Sequence, residues 1–367
     1  MHERFDRSRL RIQPLEARQS KSDTRHMIDA DTPLPSIAPE VEATMDQLAD
    51  KIKEAKGNEA PVIMTYGAHL FKNGLSPLII KLMEAGYLQN LATNGAGTIH
   101  DWETAFQGKT EEDVQRYIKE GQFGMWQETC FFINLAVILG TVQGLGYGAS
   151  LGKMIHEDML TIPSLKTLRT ELQDALKRPL LSERVQAIAN VIHTLETFQL
   201  PVGKLAIAHP YKQYSIQAAA YRLDIPFTVF PTIGADIIYN HPLNNGAAIG
   251  QAGLQDFLMF TQQISQLEGG VFLSIGTSVV GPMTFEKSIA MARNIALQEN
   301  RPLEHYQIVV NDIQPGNWDW SQGEPPKDHP AYYLRFCKSY SRMGGDFLYV
   351  ELDNKAFIQH LYHRLCR

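Results

Sequence analysis

Cysteine is scarce: Cys130, Cys337 and Cys366 are the whole complement of a 367-residue chain. The count is odd and no two stand at metal-ligand spacing, which argues against a disulfide framework and points to a reducing, cytoplasmic setting. Cys130 stands in the apolar run from Thr129 to Leu139 and reads as a core residue. Long hydrophobic runs are also lacking. The longest, Cys130 to Gly140, is broken by Asn134 and is too short to cross a bilayer. The first 30 residues are charged and hold no apolar stretch of the secretory kind. There is no basic excess either, with 34 Lys and Arg against 40 Asp and Glu and a net charge of −6. Such a surface does not draw nucleic acid or acidic membrane by bulk electrostatics. Internal repeats and low-complexity tracts are absent.

What is present is an ordinary globular composition, 44% hydrophobic and 20% charged. Residues 1–40 are polar and end in the proline-rich Asp31-Thr-Pro-Leu-Pro-Ser-Ile-Ala-Pro39, so a flexible extension is expected there. A single α/β domain is expected over 41–367, with a mostly helical segment at about 111–198. Val62-Ile-Met-Thr-Tyr66 reads as a buried strand, Leu75 to Ala85 as a helix stopped by Gly86, and Leu88 to Thr93 as a second strand. Strand, helix, strand at this spacing is a parallel βαβ unit with a right-handed crossover. Alternation resumes after Val202: strands are expected at Pro226 to Phe230, Val271 to Ile275, Tyr306 to Val310 and Phe347 to Val350, with helices between and a closing helix from Lys355 to Leu365. The fold class is therefore a doubly wound, mostly parallel α/β sheet of Rossmann-like topology with a helical insertion. Gly144, Gly146 and Gly148 follow no strand, so their Gly-x-Gly-x-Gly spacing reads as helix packing or termination rather than phosphate binding.

Ligands of open α/β sheets sit beyond the carboxyl ends of parallel strands. The residues there are Gly67, Ala68 and His69; Thr93, Asn94, Gly95, Ala96 and Gly97; Gly276, Thr277 and Ser278; Asn311 and Asp312. Three of these four turns carry glycine, which lets a ligand approach the backbone, and together they suggest a nucleotide-sized ligand. Two clusters add polar groups: His100-Asp101-Trp102-Glu103, and Asp236 with His241 in Gly234-Ala-Asp-Ile-Ile-Tyr-Asn-His-Pro242. These side chains suit contact with a ligand, helix capping with buried hydrogen bonds, or a metal set of His100, Asp101, Glu103 and His241.

Four segments in preserved order resemble the deoxyhypusine synthase family. They are Lys72-Asn-Gly-Leu-Ser-Pro77 with Leu91-Ala-Thr-Asn-Gly-Ala-Gly-Thr-Ile-His-Asp101; Ser215 to Pro242; Glu268-Gly-Gly-Val-Phe-Leu-Ser-Ile-Gly-Thr-Ser-Val-Val280; and Val309-Val-Asn-Asp-Ile-Gln314. The resemblance spans roughly residues 60–365. It implies an NAD-dependent transferase of the deoxyhypusine or homospermidine type, working as a homotetramer with NAD between subunits. Such enzymes oxidise an amine carbon of a polyamine and hold the product as an imine on a lysine. NAD would meet the strand-end residues above, Asp101, Glu103 and Asp353. The amine would meet Asp236 and His241. Two departures stand out. The family's Trp-Gly-Lys is missing, leaving Lys338 as the nearest substitute in Arg335-Phe-Cys-Lys-Ser-Tyr340, and Gly281-Pro282 stands where the family has a histidine. Trp318 and Asp319, within Asn317-Trp-Asp-Trp-Ser321, either rebuild a cationic pocket or form an exposed loop. The chemistry is therefore expected to differ from the family's covalent route.

Overall fold

Six short strands, each rich in β-branched and aliphatic residues, pair edge to edge in parallel: β1 (Val62–Tyr66), β2 (Asn90–Asn94), β3 (Phe227–Phe230), β4 (Val271–Ile275), β5 (Gln307–Asp312) and β6 (Asp346–Glu351). The computed structural model describes residues 2–178, 182–316 and 318–367. Every residue of β1, β3 and β4 is buried, as a parallel sheet covered on both faces requires. Across the sheet the strands run β3-β2-β1-β4-β5-β6. Counted by position in the chain this is 3-2-1-4-5-6, the order of doubly wound dinucleotide-binding sheets, with its reversal between β1 and β4.

The described residues fall into two compact units. The sheet unit comprises residues 25–97, 222–230 and 257–367. Ile63, Phe272 and Ile308 lie in register on β1, β4 and β5 and point to one face. There they join Phe260, Ile264, Phe285, Ile289, Phe336 and Tyr340 in a single apolar cluster. Helices Pro39–Gly57, Ser76–Glu84 and Asn354–Cys366 pack on one another and on β1, β4 and β5. Burying an aromatic such as Phe272 (0% exposed) contributes about 1.5–3 kcal/mol by transfer alone.

The helical unit comprises residues 1–24, 98–221 and 231–256. Its main helices are Gln127–Val142, Tyr147–Glu157, Leu165–Leu176 and Ser182–Phe198, in keeping with the helical reading of this stretch. Two small antiparallel ribbons, Met159–Ile162 with Gly203–Ala206 and Ser22–Asp23 with Lys109–Thr110, were not legible in the sequence. The glycines between the first two helices behave as punctuation. Gly144 has φ +72°, and the Gly148 N–H donates to Asp256 Oδ2 at 2.9 Å. Cys130 is buried in this unit, and burial pushes its thiol up to about 12. Among the described residues no single helix is long and apolar enough to cross a membrane.

The amino-terminal segment is not a loose tail. Arg18 is buried and forks onto Glu103, Nη1 and Nη2 each 2.7 Å from a carboxylate oxygen, and the same carboxylate accepts from Thr110 and Thr129. Burial alone would push the Glu103 carboxyl up; Arg18 and these hydroxyls outweigh it and hold it below its usual range. Arg7 donates to the carbonyls of Tyr239, His241 and Asn244. Leu15 N–H donates to Glu128. Polar composition suggested disorder because the charges looked solvated; here Arg7 and Arg18 have specific partners.

Both side chains of the Arg18–Glu103 pair are 1% exposed, so removing one strands a charge. Arg18→Met is expected to cost about 3–5 kcal/mol, and Arg18→Met with Glu103→Leu much less, as read from urea unfolding of the two variants.

Candidate functional site

The strand reversal places the ends of β1 and β4 side by side. A Cβ added to Gly67 would stand 2.2 Å from the Gly276 carbonyl oxygen, so the two turns meet backbone to backbone and no other residue fits at 67. Gly276 has φ +55°, and a Cβ there would point into open space, its nearest neighbour Asn354 Nδ2 at 3.9 Å. The ladder continues through the turns: Gly67 N–H donates to the Ile275 carbonyl and Gly276 N–H to that of Asn311.

Beside Gly276 lies a cavity of about 290 Å³, just under the roughly 300–1,000 Å³ of small-molecule sites. His69, Gly276, Asn311, Asp312 and Asp353 line it, from the ends of β1, β4, β5 and β6. Asn311 is 1% exposed. Its Nδ2 donates to the Val350 and Leu352 carbonyls at 3.1 and 2.7 Å, while Oδ1 is buried without a donor among the described residues. Asp312 Oδ1 accepts from Gln314 N–H and Asp353 Oδ1 from Lys355 N–H, which leaves each carboxylate a second oxygen. Asn73, Ile313, Gln314, Leu352 and Asn354 complete the wall, Asn73 Nδ2 donating to Asn354 Oδ1 at 2.6 Å. Asn354 was missed because the strand-end rule was not carried to β6; Asn73 carried no such signal.

The remaining expected cofactor residues do other work. Thr93 Oγ1 donates to the Tyr66 carbonyl and Asn94 Oδ1 accepts from Gly97 N–H, capping the helix Gly95–Gln107. Thr277 Oγ1 accepts from Gly281 N–H, and Ser278 is exposed. Ala68 begins the short helix Ala68–Lys72 and does not line the cavity. Asp101 and Glu103 correct the expectation more sharply. Both are wholly buried within the helical unit. Glu103 is saturated by Arg18, Thr110 and Thr129. Asp101 Oδ2 accepts from Gln217 N–H and caps the helix Ile216–Arg222; burial raises its carboxyl to about 7 against the pull of Ser215 and Gln217.

Asp236 and His241 belong to the helical unit, Trp318, Asp319 and Lys338 to the sheet unit. His241 Nδ1 accepts from Leu243 N–H, so Nε2 carries the proton and donates to Gln127 Oε1 at 3.2 Å. Burial lowers it to about 4, with Arg7 adding to the effect, so it is a neutral structural ring. Trp318 packs on the core and donates to the Gly323 carbonyl; Asp319 accepts from Gln322. Trp318 and Asp319 thus form a self-bonded loop; Asn317 of the same motif lies outside the described residues. Lys338 is held in an ion pair. Its Nζ is 2.6 Å from Glu324 and 3.5 Å from the Tyr332 ring centroid. The Glu324 hydrogen bond, then Tyr332, raises its pKa, whereas imine formation needs a deprotonated amine. Asp236 differs from all of these. It is 8% exposed, accepts from Thr232 N–H at 3.0 Å, and has no Lys, Arg or His partner among the described residues. The Tyr239 hydroxyl, buried and also without a partner there, is pushed up to about 12 by burial and by Asp236.

Neither a family model nor a curated protein matches the chain. Among solved structures, it is similar to a conserved LOR/SDH protein from Methanococcus maripaludis S2, with 14% identity over 92% of this chain and 73% of that one and a TM-score of 0.44. It is also similar to AgrE in its complex with ornithine and NAD+ (15% identity, 90% of this chain and 34% of that one, TM-score 0.44). A third is ArgZ, an arginine dihydrolase of the cyanobacterial ornithine-ammonia cycle (13% identity, 89% and 33%, TM-score 0.40). The chain spans about a third of the length of AgrE and of ArgZ. The strand order defines the class, a doubly wound α/β protein of Rossmann type. The resemblance to the deoxyhypusine synthases rests on ordered motifs and no matching family model accompanies it.

Burial raises Asp236 from 3.8 to about 6, against the Thr232 hydrogen bond. The folded chain therefore holds this proton more tightly than the unfolded one. The stability it confers is full below about pH 4 and is lost as pH rises through about 6. Asp236→Asn is expected to be more stable than the parent by about 1–3 kcal/mol at pH 7 and equal to it near pH 4. Urea unfolding of both proteins at the two pH values checks the sign.

Proposed function

We propose that this chain is an NAD-dependent enzyme acting on a small amine, with the dinucleotide held in the cavity beside Gly276. One observation carries the reading: the glycine-to-glycine contact at the strand reversal opens a side-chain-free cradle next to Asn311, whose Oδ1 lacks a donor. The residues present fit such a group. Gly276 lets it approach the backbone, Asn311 offers an acceptor, and Asp312 and Asp353 each keep a carboxylate oxygen for ribose hydroxyls. NAD, when bound, supplies a hydride acceptor.

Asp236 is the residue assigned to the amine, in line with the motif resemblance. A buried carboxylate without a protein cation is stabilised in its charged form by an ammonium ligand. Lys338 takes no covalent part in this reading because it is held as an ion pair. The reaction is accordingly oxidation or reduction at an amine-bearing carbon, without the lysine imine of aminobutyl transfer. The resemblance adds a homotetramer to the proposal, which light scattering at micromolar concentration tests.

Calorimetry with NAD and NADH is expected to show one site per chain. Gly276→Leu should abolish it without unfolding the protein, since a Cβ there meets nothing nearer than Asn354 Nδ2 at 3.9 Å and the left-handed φ costs about 1–2 kcal/mol. Heat from neither nucleotide would remove the proposal. Incubation with NAD and labelled spermidine, followed by borohydride, is expected to leave Lys338 unlabelled; an adduct there would restore the covalent route.

A further inference from the structure

At the amino edge of the sheet, where β5 and β6 begin, lies a cavity of about 410 Å³. Arg293, Leu297, Arg301, Glu304, Gly344 and Gly345 line it, all within the sheet unit. Arg293 is held in place rather than free to sweep. Its Nε donates to the Leu303 carbonyl at 3.2 Å and its Nη2 to the Tyr306 hydroxyl at 2.7 Å, and the guanidinium lies 5.7 Å from the Tyr306 ring centroid. Gly344 makes room for it, since a Cβ at 344 would stand 2.4 Å from Arg293 Nη2. These contacts leave Nη1 without an acceptor among the described residues. Arg301 is anchored likewise, Nη1 to the Ser265 carbonyl at 3.0 Å and Nε to Glu299 at 3.3 Å, which leaves Nη2. The turn opposite consists of Gly344 and Gly345 at φ +80° and +68°, and neither N–H meets an acceptor among the described residues.

Four separate donors, two of them charged and pre-oriented, thus border one cavity and have no acceptor among the described residues. We propose that the cavity is an oxyanion site, accepting a phosphate or carboxylate group between the two guanidinium groups and the glycine turn. Glu304 sets a second requirement. Glu304 lines the cavity, its backbone N–H is taken by Glu268 and its carboxylate has no donor among the described residues, so the ligand carries a hydroxyl or ammonium donor beside its oxyanion. Leu297, 75% exposed, offers the apolar surface for a carbon skeleton. The site stands at the opposite edge of the sheet from the cavity beside Gly276, so it is separate from the proposed cofactor site.

Calorimetry on the full chain in low-chloride buffer, with inorganic phosphate in one arm and acetate in the other, tests this. Saturable binding of one anion per chain is expected, and the tighter arm identifies the oxyanion. Arg301→Gln should weaken it roughly tenfold or more, as loss of a charge-assisted hydrogen bond does. Glu304→Gln should tighten it, an outcome that misfolding cannot imitate. Gly276→Leu should leave it intact. Absence of saturable binding in both arms, or binding indifferent to both charge changes, overturns the proposal.

Discussion

Two glycines in contact govern the architecture of the carboxyl edge. Gly67 and Gly276 terminate the strands on either side of the reversal, and the carbonyl of one occupies the volume a side chain would need on the other. That approach lets β1 and β4 stay paired to their last residues. Asn311, Asp312 and Asp353 from β5 and β6 share the cavity wall with the Gly276 backbone and with His69 and Asn73 from the chain after β1. A cavity framed by main chain and a few short polar side chains suits a ligand recognised by its shape and hydroxyls rather than by one dominant charge.

The parts of the fold that could be read from sequence are those dictated by local pattern. Continuous apolar runs such as Val62–Tyr66 and Val271–Ile275 have one use in a chain of this length, as strands buried on both faces. Four of the residues at the ends of the strands, His69, Gly276, Asn311 and Asp312, line the cavity, and Asp353 came from the motif resemblance. Asn73 escaped because it reaches the cavity from the far end of the short helix after β1, a matter of helix direction that no residue type announces. Asp101 and Glu103 were misplaced for a related reason. An acid just past a glycine-rich turn looks like a ligand contact, yet the partners that bind Glu103 and Asp101, Arg18 and Ser215, lie 85 and 114 residues away in sequence.

The polar residues sort by whether the protein itself satisfies them. Glu103, His241 and Lys338 are each fully engaged, and their shifted or fixed protonation states express stability. Asn311 and Asp236 are buried with capacity unspent, which is costly unless something outside the chain repays it. The contrast decides the reading of Lys338 in particular. A lysine ion-paired to Glu324 and resting on Tyr332 is favoured in its charged form.

The folded amino-terminal segment bears on the order in which the protein can be made. Arg7 docks on the carbonyls of Tyr239, His241 and Asn244, 232 to 237 residues downstream. At about 5–20 residues per second, a ribosome exposes the segment tens of seconds before its docking surface exists. During that interval Arg7 is without these acceptors, whereas Arg18 and Leu15 meet Glu103 and Glu128 earlier. The composition that resembles a disordered tail is, on this timescale, what a segment needs when it is made long before the surface on which it docks.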